Sequence, residues 1–183
     1  MRTVTVTWDK GEERFVALGT HPDRSIVINA PHGPGTMTGP TGFSATELLL
    51  AGAGACAAWD VVEILRKRRA HVMGLEVTVE GHQEPDPPWT YLRVALHFRV
   101  TCDDMRLPVI ARVIRLSIVR YCSVITTVAA AAAIEATVEL VSADGGTTGR
   151  HPIELAIPAV PAPVLAQLDL REVGVPEPTA DES

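Results

Sequence analysis

Three cysteines are the residues of this chain whose type most invites chemistry, and their positions, Cys56, Cys102 and Cys122, are uneven and include no CxxC pair. That spacing fits neither a zinc site nor a secreted disulfide scaffold. Each thiol must then be judged by its surroundings, because only the thiolate attacks, and burial or nearby charge sets how much thiolate exists. Cys56 lies inside the apolar run from Leu48 to Trp59. Taken alone, that setting reads as an inert core thiol whose pKa is raised by burial. Cys122 follows Arg120 at the expected start of a helix, and a helix N-terminus and a cation both lower a thiol's pKa. The competing reading is a small hydrophobe plugging a helix junction. Cys102 is followed by Asp103 and Asp104, whose carboxylates disfavour its thiolate, and it is assigned no role.

The elements that must position these thiols can be read from periodicity. Residues 3–8 alternate polar and apolar side chains and predict a strand, with shorter strands at 13–18 and 25–29. A loop rich in proline and glycine follows from Pro31 to Gly42. Ser44-Ala-Thr-Glu47 has the form of a capping box, so a helix should open there and run to about Arg69. From Leu48 to Trp59 that helix is apolar on every face, which predicts a helix buried all round. Gly52 and Gly54 each cost it roughly 1 kcal/mol relative to alanine, which close approach of another backbone or a ligand would explain.

Next come two half-buried strands. Leu75, Val77 and Val79 alternate with Glu76, Thr78 and Glu80, and Leu92, Val94, Leu96, Phe98 and Val100 form a second alternating set. A proline-rich turn at Pro85 to Pro88 joins them. Pro108 suits the first turn of a second helix, with Val109, Ile110, Val113, Ile114 and Ser117 on one face. A short third helix begins near Tyr121-Cys122-Ser123, and a strand from Ile134 to Val141 closes the domain. The order predicts an antiparallel α+β domain over residues 1–141. Residues 142–183, rich in glycine, proline and acidic side chains, read as an extension, partly disordered, with one amphipathic turn at Val164 to Leu170.

Bulk composition narrows the function classes. A chain of 183 residues that is 46% hydrophobic can bury a core without disulfides. Its formal charge of −6 speaks against nucleic acid as a partner, and the basic run Arg66 to Arg69 suits the negative end of a helix dipole. The start of the chain lacks a signal peptide's apolar block, and Leu48 to Trp59 is too short to cross a bilayer. The expectation is a cytoplasmic protein with reduced thiols and no membrane partner. Asp60 and Glu63 are expected to pair with the cations at the helix end. His71, His82 and His97 lack ligand spacing and read as solvated or structural, so no metal site is expected. Trp59 and Trp89 should pack in the core or line an apolar pocket.

Two segments carry a family resemblance. Ser44-Ala-Thr-Glu-Leu-Leu-Leu-Ala-Gly-Ala-Gly-Ala-Cys56-Ala-Ala-Trp-Asp-Val-Val-Glu-Ile-Leu-Arg-Lys-Arg resembles the central helix of the OsmC/Ohr family of osmotically induced and organic hydroperoxide resistance proteins. Arg115-Leu-Ser-Ile-Val-Arg-Tyr-Cys122-Ser-Val resembles that family's second cysteine motif. Together with strand order, the resemblance covers about residues 1–141. Glu47 followed by three leucines fits the OsmC-like branch. In the organic-hydroperoxide branch the glutamate stands one residue earlier, where this chain has Thr46.

The resemblance implies an intertwined homodimer, with antiparallel sheets wrapped around long central helices. It also implies a thiol peroxidase acting on organic hydroperoxides, and more weakly on hydrogen peroxide, without metal, haem or flavin. Cys56 would attack the peroxide, Cys122 would resolve the sulfenic acid as a Cys56–Cys122 disulfide, and an external dithiol would reduce that bond. An arginine from the early strands, held by Glu47, would keep Cys56 ionised. Arg14 lies nearest the expected place and Arg24 is the second choice. Glu47 also has a purely structural reading as the third residue of the capping box. It stands nine positions before Cys56, about 13–14 Å along a regular helix and half a turn out of phase, so a shared site would draw on both subunits. The alternative function is a dimeric binding or stress protein of the same fold with little or no activity.

Overall fold

The computed structural model describes residues 3–21, 23–28 and 42–157. The Pro31 to Gly42 loop lies almost entirely outside them, and the expected turn at Val164 to Leu170 lies wholly outside.

Two separate sheets form. The first is an antiparallel meander of β1 (Thr5–Asp9), β2 (Arg14–Leu18) and β3 (Ser25–Ile28), close to the strands that alternation predicts. Its large apolar side chains find little cover. Val4, Val6, Trp8, Phe15 and Ile26 are 45–64% exposed, and among the described residues no side chain of the three strands is fully buried. Trp8 and Phe15 meet each other across the pair, with ring centroids 4.8 Å apart.

Helix α1 (Ala45–Lys67) starts where the capping box places it. The Ser44 hydroxyl accepts from the Glu47 amide at 3.1 Å, and the Glu47 carboxylate accepts from the Ser44 amide at 2.7 Å. Ala53, Gly54, Ala57, Val61 and Leu65 form its buried face. The ridge Ala51, Ala55 and Trp59 is exposed, and Trp59 is 73% open to solvent. The expectation of a helix buried all round is therefore corrected, because that ridge stays exposed among the described residues. By length and composition α1 could also cross a membrane, although its apolar run from Leu48 to Trp59, ended by Asp60, reads as too short. Here it packs on protein instead, against strand β4 and the later helices.

The second sheet has the order β4 (Val72–Gln83), β5 (Tyr91–Cys102), β6 (Ala133–Val141), β7 (His151–Pro152). Pairing is antiparallel except between β5 and β6, which run parallel from Arg93 opposite Ala133 to Thr101 opposite Val141. The parallel pair exists because a helical crossover carries the chain back to the end where β5 began. That crossover is α2 (Leu107–Leu116), a π-helical turn (Ser117–Tyr121) and α3 (Ser123–Val128).

The fold is α+β, as the order of elements predicts. Val94, Leu96, Phe98 and Val100 of β5 are buried against Val61 and Leu65 of α1, Ile110 and Ile114 of α2, and Val138 of β6. Each such side chain contributes about 1.5–3 kcal/mol relative to exposure.

Residues 142–157 also join this sheet, although the sequence reading places them in the extension. A turn brings the Ser142 amide onto the Gly146 carbonyl at 2.9 Å, and the Ile153 amide onto Ala136 at 2.9 Å. Ile153 is buried, and Leu155 and Ile157 pack against the core. Their apolar side chains explain why the chain stays down.

Two glycines set how closely α1 and the β4–β5 hairpin approach. A β-carbon at Gly54 would lie 2.8 Å from Val79 Cγ2. One at Gly81 would overlap the Tyr91 ring and lie 3.0 Å from Leu50. The Tyr91 hydroxyl in turn donates to the Thr46 carbonyl at 3.1 Å, tying the hairpin to the first turn of α1. Gly81→Ala must move that ring and should cost about 1–3 kcal/mol in chemical denaturation. An unchanged denaturation midpoint would contradict the close packing described for Tyr91.

Candidate active site

Cys56 and Cys122 come together where α1 meets the π-turn and α3. Cys56 is partly buried on the flank of α1, one residue before the fully buried Ala57. Cys122 is completely buried and caps α3, where its sulfur accepts from the Ile125 amide at 3.4 Å. Cys56 is the neighbouring side chain that acts on the Cys122 thiol.

Burial pushes Cys122 up to about 12, and the contact with Cys56 adds to the rise, while the α3 amides oppose it. The expectation that helix start and cation would lower this thiol is corrected. The helix start is real but α3 is only 6 residues long, and Arg120 is exposed. A charge in apolar surroundings costs more than two amides return.

A serine that the sequence reading placed only on an apolar face fixes this junction. Ser117 is fully buried, and its hydroxyl donates to the Ala57 carbonyl at 2.8 Å. Its own carbonyl accepts from the Cys122 amide at 2.9 Å, the bond that makes the turn π-helical. A lone serine on an apolar face was the available signal.

The remaining expected residues stand apart from the thiols. Glu47 performs its capping role, with the Ser44 hydroxyl donating to the same oxygen as the Ser44 amide, at 2.9 Å. The Ser44 backbone amide, and then its hydroxyl, hold the Glu47 carboxyl below its usual value. Glu47 also lines an open groove of about 410 Å³ with Phe43, Leu50, Ala55, Ala58 and Leu75. Arg14 sits in β2, where its Nε lies 3.4 Å from Asp9 Oδ2. That distance is ionic only. The same Nε is shielded from solvent and makes no hydrogen bond among the described residues. The structure thus does not bring Arg14 to Glu47 within one chain. Arg24 is exposed beside the turn leading into β3.

The other candidates take structural places. Burial, and then a hydrogen bond to Asp104 at 3.0 Å, raises Cys102. Glu63 pairs with Arg66 at 3.0 Å, as expected. His97 bridges Glu80 at 3.3 Å and Thr137 at 2.8 Å on the sheet's polar face. Trp89 lines an apolar cavity of about 360 Å³ with Tyr91 and Val128. No cluster of three His, Cys, Asp or Glu fit for a metal occurs among the described residues.

The raised Cys122 thiol makes stability depend on pH. Below its ordinary value of 9.0 both folded and unfolded chains keep the proton, and up to about 12 only the folded chain does. Folding then takes up a proton, so stability falls as pH rises through that window. Urea titrations of the reduced protein should show a steeper alkaline loss for wild type than for Cys122→Ala. Tyr91 and Cys102 are also raised, but they are common to both proteins and cancel. Equal slopes would show that Cys122 ionises freely.

Known proteins agree with this architecture. The family model described as OsmC-like protein matches residues 37–139. Protein YhfA of Escherichia coli K12 is 37% identical over 100 residues, which are 55% of this chain and 75% of YhfA. A hypothetical protein from Aquifex aeolicus VF5 superposes with a TM-score of 0.66 at 20% identity, covering 78% of this chain and 97% of that one. An organic hydroperoxide resistance protein from Elizabethkingia anophelis gives a TM-score of 0.59 at 14% identity, covering 75% and 94%. At those identities the two structures speak to the fold alone. The sequence matches go further: this chain belongs to the OsmC-like protein family.

Proposed function

We propose that this protein is a homodimeric thiol peroxidase that reduces organic hydroperoxides through Cys56 and Cys122. The observation that carries this reading is that a buried Cys122 thiol, which keeps its proton, lies beside the partly open Cys56 where Ser117 joins their two elements. It gives the two thiols different jobs. Cys56, partly open, is the nucleophile, and Cys122, which keeps its proton, waits beside it as the resolving thiol. The fold's likeness to organic hydroperoxide resistance proteins supports the same chemistry.

The steps balance without a metal or cofactor. The Cys56 thiolate attacks the distal peroxide oxygen, the O–O bond breaks, and the alkoxide leaves as alcohol after taking a proton, with Cys56 oxidised to sulfenic acid. The Cys122 sulfur then attacks the Cys56 sulfur, and water leaves with the hydroxyl and the Cys122 proton. An external dithiol reduces the resulting disulfide to two thiols and is itself oxidised to a disulfide.

The dimer completes the site. The exposed ridge of α1, the groove beside Glu47 and the uncovered apolar faces of β1–β3 are the surfaces that a second chain would bury. Arg14, with its shielded and unbonded Nε, is then the cation supplied to the partner's Cys56, with Glu47 of the receiving chain as its anchor. The apolar groove favours a lipophilic peroxide over hydrogen peroxide. One observation favours the weakly active alternative: among the described residues Arg14 pairs with Asp9 rather than with Glu47.

One equivalent of cumene hydroperoxide should convert the reduced protein to a Cys56–Cys122 disulfide, and Cys56→Ser should abolish peroxide loss. Slow consumption with no such disulfide would sink the peroxidase reading. Light scattering should give twice the chain mass, and a monomer would exclude the shared site. Arg14→Ala should slow the peroxide step at least about tenfold, the effect of one unit in thiolate availability. Co-expressed Arg14→Ala and Cys56→Ser chains should recover activity, because one site of each mixed dimer keeps both groups. No recovery would place Arg14 outside the partner's site.

A further inference from the structure

We infer that Ser117 is a positioning residue that sets how readily Cys56 and Cys122 join, by gripping the backbone beside both. Its hydroxyl donates to the carbonyl of Ala57, the residue after Cys56, at 2.8 Å. Its carbonyl accepts from the amide of Cys122 at 2.9 Å. One fully buried residue thus closes a path of two hydrogen bonds from one cysteine-bearing element to the other.

The chemistry of the two bonds argues for placement over satisfaction. Ala57 lies in the middle of α1, where its carbonyl already accepts an intrahelical bond, so it has no need of the serine. An alanine at 117 would orphan nothing and would suit the apolar neighbours Ile114 and Ile118 better. The hydroxyl is instead the group that fixes the sliding and rotation of α1 against the crossover. The second bond spans five residues where an α-helix would span four, which widens the turn and carries Cys122 one position further round. A wide turn tied to α1 on one side and to Cys122 on the other holds the two sulfurs in reach before any oxidant arrives. Held so, they have a high effective concentration towards each other.

This inference rests on the cysteine pairing of the proposed function but not on peroxide, so the test uses glutathione. In that exchange the protein dithiol and one glutathione disulfide give the protein disulfide and two glutathione thiols, and the equilibrium constant reports the effective concentration. Ser117→Ala should lower that constant at least about tenfold, equivalent to about 30 mV in the two-electron couple. Ser117→Thr, which keeps the hydroxyl, should stay within about threefold of wild type. A purely structural serine would destabilise the reduced and oxidised forms equally and leave the constant unchanged, which would overturn the inference. Ser117→Gly removes the same hydroxyl with a different packing defect, and failure of both variants to fold would also assign a structural role. A wild type that closes its disulfide in glutathione but ignores cumene hydroperoxide would end the peroxidase reading and leave this one standing. A wild type that closes no disulfide would end both.

Discussion

Desolvation of the Cys122 sulfur constrains everything around it. A group so deeply buried cannot carry charge cheaply, so it remains a neutral thiol, and a neutral thiol in an apolar junction acts as a donor seeking an acceptor. Cys56 lies beside it, where α1, the π-turn and α3 converge on one point. The convergence in turn requires small side chains. Ala53, Gly54 and Ala57 line the buried face of α1, and a larger residue at position 54 would collide with Val79. The poverty in aromatic residues, only 4% of the chain, is the same requirement expressed in composition.

The single chain is well packed on one side of α1 and bare on the other. Its second sheet, the crossover helices and residues 142–157 enclose a continuous core. Among the described residues, the first sheet and the Ala51, Ala55 and Trp59 ridge remain largely exposed. Surfaces of this kind are costly in water and are ordinarily buried by association. The alternation of β1 would mark a half-buried strand, yet none of its residues is fully buried among the described residues.

Features with a local cause were legible in the sequence. The capping box at Ser44 and Glu47, the alternation of β4 and β5, and the proline opening α2 all took their expected places, because each depends on residues a few positions apart. Both cysteines of the candidate pair could also be singled out by motif. What stayed hidden was set by contacts between distant segments. The parallel pairing of β6 depends on where the crossover delivers the chain. The state of Cys122 depends on burial by elements that its neighbours in sequence do not reveal. The tail at 142–157 has turn-like composition, and only Ile153, Leu155 and Ile157 betray that it returns to the core. Ser117 was visible as one residue of an apolar face, but its partner at Ala57 is a backbone carbonyl, which no side-chain pattern announces.

The exposure of Trp59 has an optical consequence. The chain has three tryptophans, and none lies in the core: Trp8 is on the exposed sheet, Trp59 on the open ridge of α1, and Trp89, half-buried, lines the apolar cavity. Indole emission moves to shorter wavelength as water leaves the ring. Intrinsic fluorescence of this protein therefore reports chiefly on its surfaces rather than on its interior. It is a label-free gauge of whether the faces of α1 and the first sheet are wet or covered.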